Sequence, residues 1–132
     1  MIVVDSNVIA YLALPSAYTA AAEDLLKQDP EWIAPLLWRS ELRNVLTLAM
    51  RKAIVPLEAA IAIQSEMEDL MQGGEYEISS LDVLTLARQS KCSAYDCEFV
   101  ALAQNCQCPM ITMDSKLQKK FPETVSLLAT AR

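Results

Sequence analysis

The apolar positions of this chain change period in an ordered way. Ile2 to Val4 are apolar at consecutive positions and stop at Asp5, which predicts a strand buried on both faces. From Tyr18 to Gln28 the period is helical, with Ala21, Ala22, Leu25 and Leu26 on one side and Asp29-Pro30 as the stop. Trp32 to Ala34 fits either a short strand or a turn. Leu36 to Arg51 reads as a long helix, and Pro56 opens another that runs to Met71 and ends at Gly73-Gly74. Tyr76 to Ser79 is a candidate second strand, and Ser80 is the expected cap of a helix from Leu81 to Gln89. Ser93 caps a further helix reaching Asn105, Met110 to Met113 is a β-type run that again stops on an aspartate, Asp114, and Val125 to Leu128 is an edge strand. Strands alternating with helices, without repeats or a linker, predict one α/β domain over residues 1–132: three layers, a central parallel sheet and helices on both faces.

In such sheets ligands bind at the carboxyl ends of the strands, where Asp5 and Asp114 fall. Either aspartate alone could be a turn or cap residue. Two helical acids sharpen the picture. Glu41 shares a helix face with Leu37, Val45 and Leu48, and Asp96 shares one with Phe99, Val100 and Ala103. An ionised carboxylate aimed inward without a partner costs several kcal/mol, so each needs a cation, a hydrogen-bond network or a raised pKa. Arg39 or Arg88 could supply the counter-charge, or Asp96 could be a helix-start acid. A hard divalent cation accounts for all four acids together, because Mg²⁺ or Mn²⁺ takes oxygen ligands and retains water.

Composition narrows the chemistry. The chain has no histidine, which removes Ser-His and Cys-His nucleophiles and imidazole acid/base steps. Its two glycines, Gly73 and Gly74, form no phosphate-cradling loop. The four cysteines, Cys92, Cys97, Cys106 and Cys108, have neither disulfide-framework nor zinc-site spacing and are expected to be reduced, mostly buried thiols. At 53% hydrophobic the chain should fold, and no apolar run reaches the roughly 18 residues of a membrane span. With an acid rather than Lys or Arg in its first residues, a cytoplasmic location is expected, with no membrane partner.

These acids stand where the chain resembles the PIN-domain nucleases, and specifically the VapC-type toxins of bacterial toxin–antitoxin pairs. IVVDSNVI, with Asp5, Ser6 and Asn7, is similar to the first acidic motif of that family, and PLLWRSELRNVL, with Glu41, to the second. SAYDCEFVALA, with Asp96, resembles the third, and ITMDSKL, with Thr112 and Asp114, the fourth. Four motifs in the family's order cover nearly the whole chain. The resemblance implies an endoribonuclease dependent on Mg²⁺ or Mn²⁺, with Asp5, Glu41, Asp96 and Asp114 catalytic and metal-ligating. It implies Ser6, Asn7 and Thr112 as supporting groups, a homodimer, and an antitoxin whose tail enters the site. Ser115 and Lys116 follow Asp114 where some relatives carry another acid, so this chain departs there from the donor set of a full two-metal site.

The net charge of −6 opposes general nucleic-acid binding, which draws on Lys and Arg. Arg39 and Arg43 on the Glu41 helix, and Lys116 after Asp114, are the candidate RNA contacts. The competing readings are a catalytically silent PIN-like binding or dimerisation module and a DNA or flap nuclease on the same fold. A phosphoacceptor receiver lacks its central aspartate here, and an aspartyl-nucleophile phosphatase lacks its second acid, because Asn7 stands in that place.

Overall fold

The computed structural model describes residues 1–129; the last three residues of the expected 1–132 domain lie outside them. The chain runs β1 (Ile2–Val4), α1 (Ser6–Ala13), α2 (Thr19–Gln28), β2 (Trp32–Pro35), α3 (Leu37–Arg51), α4 (Leu57–Leu70), β3 (Glu75–Tyr76), α5 (Ser80–Ser90), α6 (Ala94–Cys106), β4 (Met110–Thr112), α7 (Ser115–Lys120) and β5 (Val125–Leu127). The five strands form one parallel sheet in the order β3-β2-β1-β4-β5. The α/β expectation with a central parallel sheet therefore holds.

The strand order decides where a site can form. From β1 the chain steps outward to β2 and β3, then returns across the sheet to β4 and steps outward again to β5. Right-handed crossovers put the helices of the first excursion on one face and those of the second on the other. The packing agrees, since α1 contacts α2, α3 and α4, while α6 contacts α5 and lies along β1, β2 and β4. The direction reverses between β1 and β4, so their carboxyl ends diverge from opposite helical layers and leave a crevice.

Each layer follows from its sequence. β1 and β2 are buried at every position because helices cover both faces. The helix α6 is buried from Phe99 through Ala103, which fits its place between sheet and α5. By contrast α3 is amphipathic and buries Trp38, Leu42, Leu46 and Ala49. Gly74 is required by close approach, because a Cβ there would collide with the Trp32 carbonyl oxygen.

Several boundaries differ from the sequence expectations. Two helices, α1 and α7, are additional to those the pattern predicts; both begin directly after the aspartates that cap them, Asp5 and Asp114, which follow β1 and β4. The cap of α5 is Ser79, whose hydroxyl accepts from the Asp82 amide, rather than Ser80. The strand expected over Tyr76 to Ser79 is displaced to Glu75–Tyr76, because Gly74 lies against the edge of β2 and brings the next two residues into register with Ala34 and Pro35. All four cysteines are free thiols, but Cys97 alone is buried and the other three are half-buried.

Candidate active site

Asp5 and Asp114 leave the neighbouring strands β1 and β4 and cap the helices that follow. One oxygen of Asp5, Oδ1, accepts from the Ser6 amide at 2.8 Å, and the other, Oδ2, accepts from the Thr112 hydroxyl at 2.7 Å. Asp114 Oδ1 accepts from the amides of Lys116 and Leu117 at 2.9 and 3.1 Å. Asp96 sits in the first turn of α6, which Ser93 caps. Three helix N-termini thus carry acids at this site, where their positive dipole ends offset part of the mutual repulsion.

Two buried hydroxyls tie the acids together. Ser6 Oγ donates to Glu41 Oε1 at 2.7 Å and so joins α1 to α3 across the pocket floor. Thr112, fully buried, also accepts from the Asp114 amide at 3.0 Å and from Asn7 Nδ2 at 3.5 Å. A single hydroxyl therefore fixes Asp5, Asn7 and the Asp114 backbone relative to one another.

These elements enclose an open pocket of about 690 Å³ that all four acids line, together with Ser6 and Asn7. No basic side chain lines it among the described residues. The electrostatic result is strain on the charged forms. Burial pushes the Asp5 carboxyl up to about 6, against the Thr112 and Ser6 hydrogen bonds, and the charges of Glu41 and Asp96 add to the rise. Asp96 is raised by burial and by the negative charge of Asp114. Glu98, next to the pocket, is raised by burial and by Glu41.

The structure modifies the sequence picture at three places. Glu41 is not in the core stripe of α3: its companions Leu37 and Val45 are half-buried and Leu48 is 46% exposed, because the core face is one residue further on, at Trp38, Leu42 and Leu46. The Glu41 face borders the pocket instead. Arg39 and Arg43, expected to flank the acids, do not line the pocket. Residues two apart on a helix point in nearly opposite directions, so both turn from Glu41 toward α4. Arg39 makes a two-pronged pair with Glu75, at 2.6 and 2.7 Å, and reaches Glu68 at 3.1 Å, while Arg43 lies 4.0 Å from Glu68. Neither supplies a counter-charge to the four acids. Lys116, exposed on the first turn of α7, remains next to Asp114 in the chain. Sequence reasoning missed Ser40, Asn44 and Tyr95, which also line the pocket; the helical positions flanking Glu41 and Asp96 were the available signal.

The donor set fits a hard cation. Acids without a basic neighbour gather at one crevice, and Asn7 Oδ1 is buried there with no donor among the described residues. The acids do not form a closed cage, since no three of them stand within common coordinating reach among the described residues. Mg²⁺ is compatible with so open an arrangement because it is commonly held by one or two carboxylates and keeps several waters.

Fold and pocket together define a doubly wound α/β protein with a carboxylate-lined crevice at the switch point of its sheet. The family model described as PIN domain matches residues 2–122. The chain belongs to the PIN domain family. Over 128 residues it is 27% identical to Ribonuclease VapC3 of Pyrobaculum aerophilum, an alignment spanning 95% of this chain and 98% of that protein. Its fold is similar to that of FitAcB from Neisseria gonorrhoeae, with a TM-score of 0.72 at 16% identity over 98% of each chain. It is also similar to a toxin–antitoxin complex from Klebsiella pneumoniae, with a TM-score of 0.62 at 17% identity over 100% of this chain and 99% of that one. At these identities the structural likenesses concern the fold.

Proposed function

We propose that this chain is a Mg²⁺- or Mn²⁺-dependent endoribonuclease that hydrolyses RNA phosphodiester bonds, the toxin of a toxin–antitoxin pair. The observation that carries the reading is the convergence of Asp5, Glu41, Asp96 and Asp114 on one crevice lined by no base among the described residues, in a chain without histidine. Likeness to Ribonuclease VapC3 over nearly the whole of both chains supports it. In this reading the chain is one nuclease domain over residues 1–132, a cytoplasmic homodimer held in check by an antitoxin. No helix among the described residues is long and apolar enough to cross a membrane.

Of Asp5, Glu41, Asp96 and Asp114, which line one pocket, one or two would hold the divalent ion directly and the others would reach it through its waters. Bound there, it would polarise a phosphoryl oxygen and lower the pKa of a water, which supplies a nucleophile without imidazole. The rest is positioning by the chain. Ser6 holds one oxygen of Glu41, Thr112 holds one of Asp5, and the α7 amides hold one of Asp114. Each of these carboxylates keeps acceptor capacity for a cation or its water. Lys116 is the remaining candidate for contact with an RNA phosphate.

A catalytically silent PIN-like module is the second reading, favoured by the spread of the acids beyond a closed cage. One assay separates the two. Purified protein is incubated with a mixed structured RNA in Mg²⁺, Mn²⁺ or EDTA, beside folded Asp5→Asn and Asp96→Asn variants. Metal-dependent cutting lost in both variants supports the nuclease. Absence of cutting together with absence of metal binding by calorimetry leaves the silent module.

A further inference from the structure

We propose that Tyr95 is a substrate-contacting residue whose ring stacks on a nucleobase of the RNA while the adjacent acids address the backbone; the proposal rests on the ribonuclease reading above. The argument begins with a shortage. A nuclease ordinarily draws its ground-state affinity from Lys and Arg on phosphates. Here the pocket is lined by four acids and, among the described residues, by no base, and the two arginines nearest Glu41 on α3 lie on another face, Arg39 held by Glu75 and Glu68. A cation at the acids would relieve the repulsion, but contacts to another part of the substrate are still needed.

Tyr95 is placed to make one. It stands in the first turn of α6, directly before Asp96, and lines the same pocket. It is 64% exposed despite its size. Most of the ring surface is therefore available to a ligand. Leu37 and Val45, either side of Glu41 along α3, add apolar surface to the pocket. The whole is about 690 Å³, within the range of small-ligand sites and roomy enough for a nucleotide. Exposed aromatic rings beside a backbone-binding site are the recurrent means of holding unstacked bases. Because Tyr95 and Asp96 are consecutive residues on one rigid turn, a base on the ring would set which phosphodiester reaches the acids. Tyr95 is then a determinant of cleavage position as well as of affinity.

The test compares wild type with Tyr95→Ala and Tyr95→Phe. KM for a single-stranded oligoribonucleotide should rise about 5- to 150-fold in Tyr95→Ala, with kcat changed far less, and return near wild type in Tyr95→Phe. A second readout is independent of turnover: the same oligonucleotide carrying 2-aminopurine is titrated with protein in the uncutting Asp114→Asn background in Mg²⁺. Fluorescence quenching on binding, retained in Tyr95→Phe and lost in Tyr95→Ala, is the expected result. Circular dichroism and melting should be unchanged, since the ring is mostly exposed. Unchanged KM, cleavage pattern and quenching in Tyr95→Ala would overturn the stacking role while leaving the ribonuclease intact. A wild-type protein that neither binds nor cuts RNA would overturn both.

Discussion

Replacing Asp5 with asparagine should make the metal-free protein more stable while removing its activity. The Asp5 carboxyl is raised from 3.8 to about 6, chiefly by burial. That difference of about two pKa units corresponds to about 3 kcal/mol between the charged and neutral forms in the folded state. The sign follows from proton counting. Between pH 3.8 and 6 the folded chain binds more protons at Asp5 than the unfolded chain, so this group's contribution to stability falls as pH rises through that window. At pH 7 the full cost is present. An asparagine in this place avoids it and remains a good helix cap, although its amide matches the Ser6 and Thr112 donors imperfectly, at a cost of about 1 kcal/mol. The net gain at pH 7 is about 2 kcal/mol, a rise in Tm of roughly 7 °C for a domain of this size. Chemical denaturation in EDTA at several pH values is the assay. The gain should shrink as pH falls from 6 and give way below 4 to a loss of about 1 kcal/mol, the hydrogen-bond mismatch alone. Added Mg²⁺ should stabilise wild type more than the variant, by mass action on the folded state. A variant that is less stable at pH 7, with a difference flat from pH 4 to 7, would refute the reasoning.

Three further outcomes are expected. Ser6→Ala should lower kcat about tenfold by releasing Glu41, while costing only about 1 kcal/mol of stability, measured by cutting rate and urea titration side by side. Glu75→Gln removes the charged partner of Arg39 and Trp38 and should cost about 1–2 kcal/mol without changing cutting. Because Arg39 holds the Glu75 carboxyl below its ordinary 4.5, that stabilisation is present above 4.5 and is lost as pH falls through the lower folded-state value, so variant and wild type should converge in acid. Gly74→Ala should destabilise by about 2 kcal/mol or more, since the added methyl meets the rigid backbone of β2, and thermal melting reads the effect.

Much of the fold is legible because its signals are local. β1 is an unbroken apolar run and β4 a β-type run, and helix periods with proline and glycine stops mark α2, α3 and α4. The missed helices are informative. α1 follows β1 with Asp5 as the single residue between them, and only Met113 and Asp114 separate β4 from α7, so each aspartate follows a strand closely and caps the next helix. The choice between cap and site that these acids posed in sequence dissolves in the structure, because a carboxylate has several lone pairs to share. In α3, Glu41 and the true core residues differ by one position, about 100° of rotation, and a half-apolar helix supports either facing until neighbours choose.

The sequence by itself determined that the chain folds as α/β, that imidazole and nucleotide-loop chemistry are absent, and which four carboxylates stand at conspicuous positions. These properties depend on residue type and on spacing within one element. Only the tertiary structure decided that the strand order reverses between β1 and β4 and opens a crevice there. It also decided that Ser6 and Thr112 bridge residues 35 and 107 positions away, that Arg39 serves Glu75, and that Tyr95 lines the same pocket as the acids. Such pairings join distant parts of the chain, and their geometry is set by how helices from both layers settle on the sheet, a quantity that no local pattern encodes.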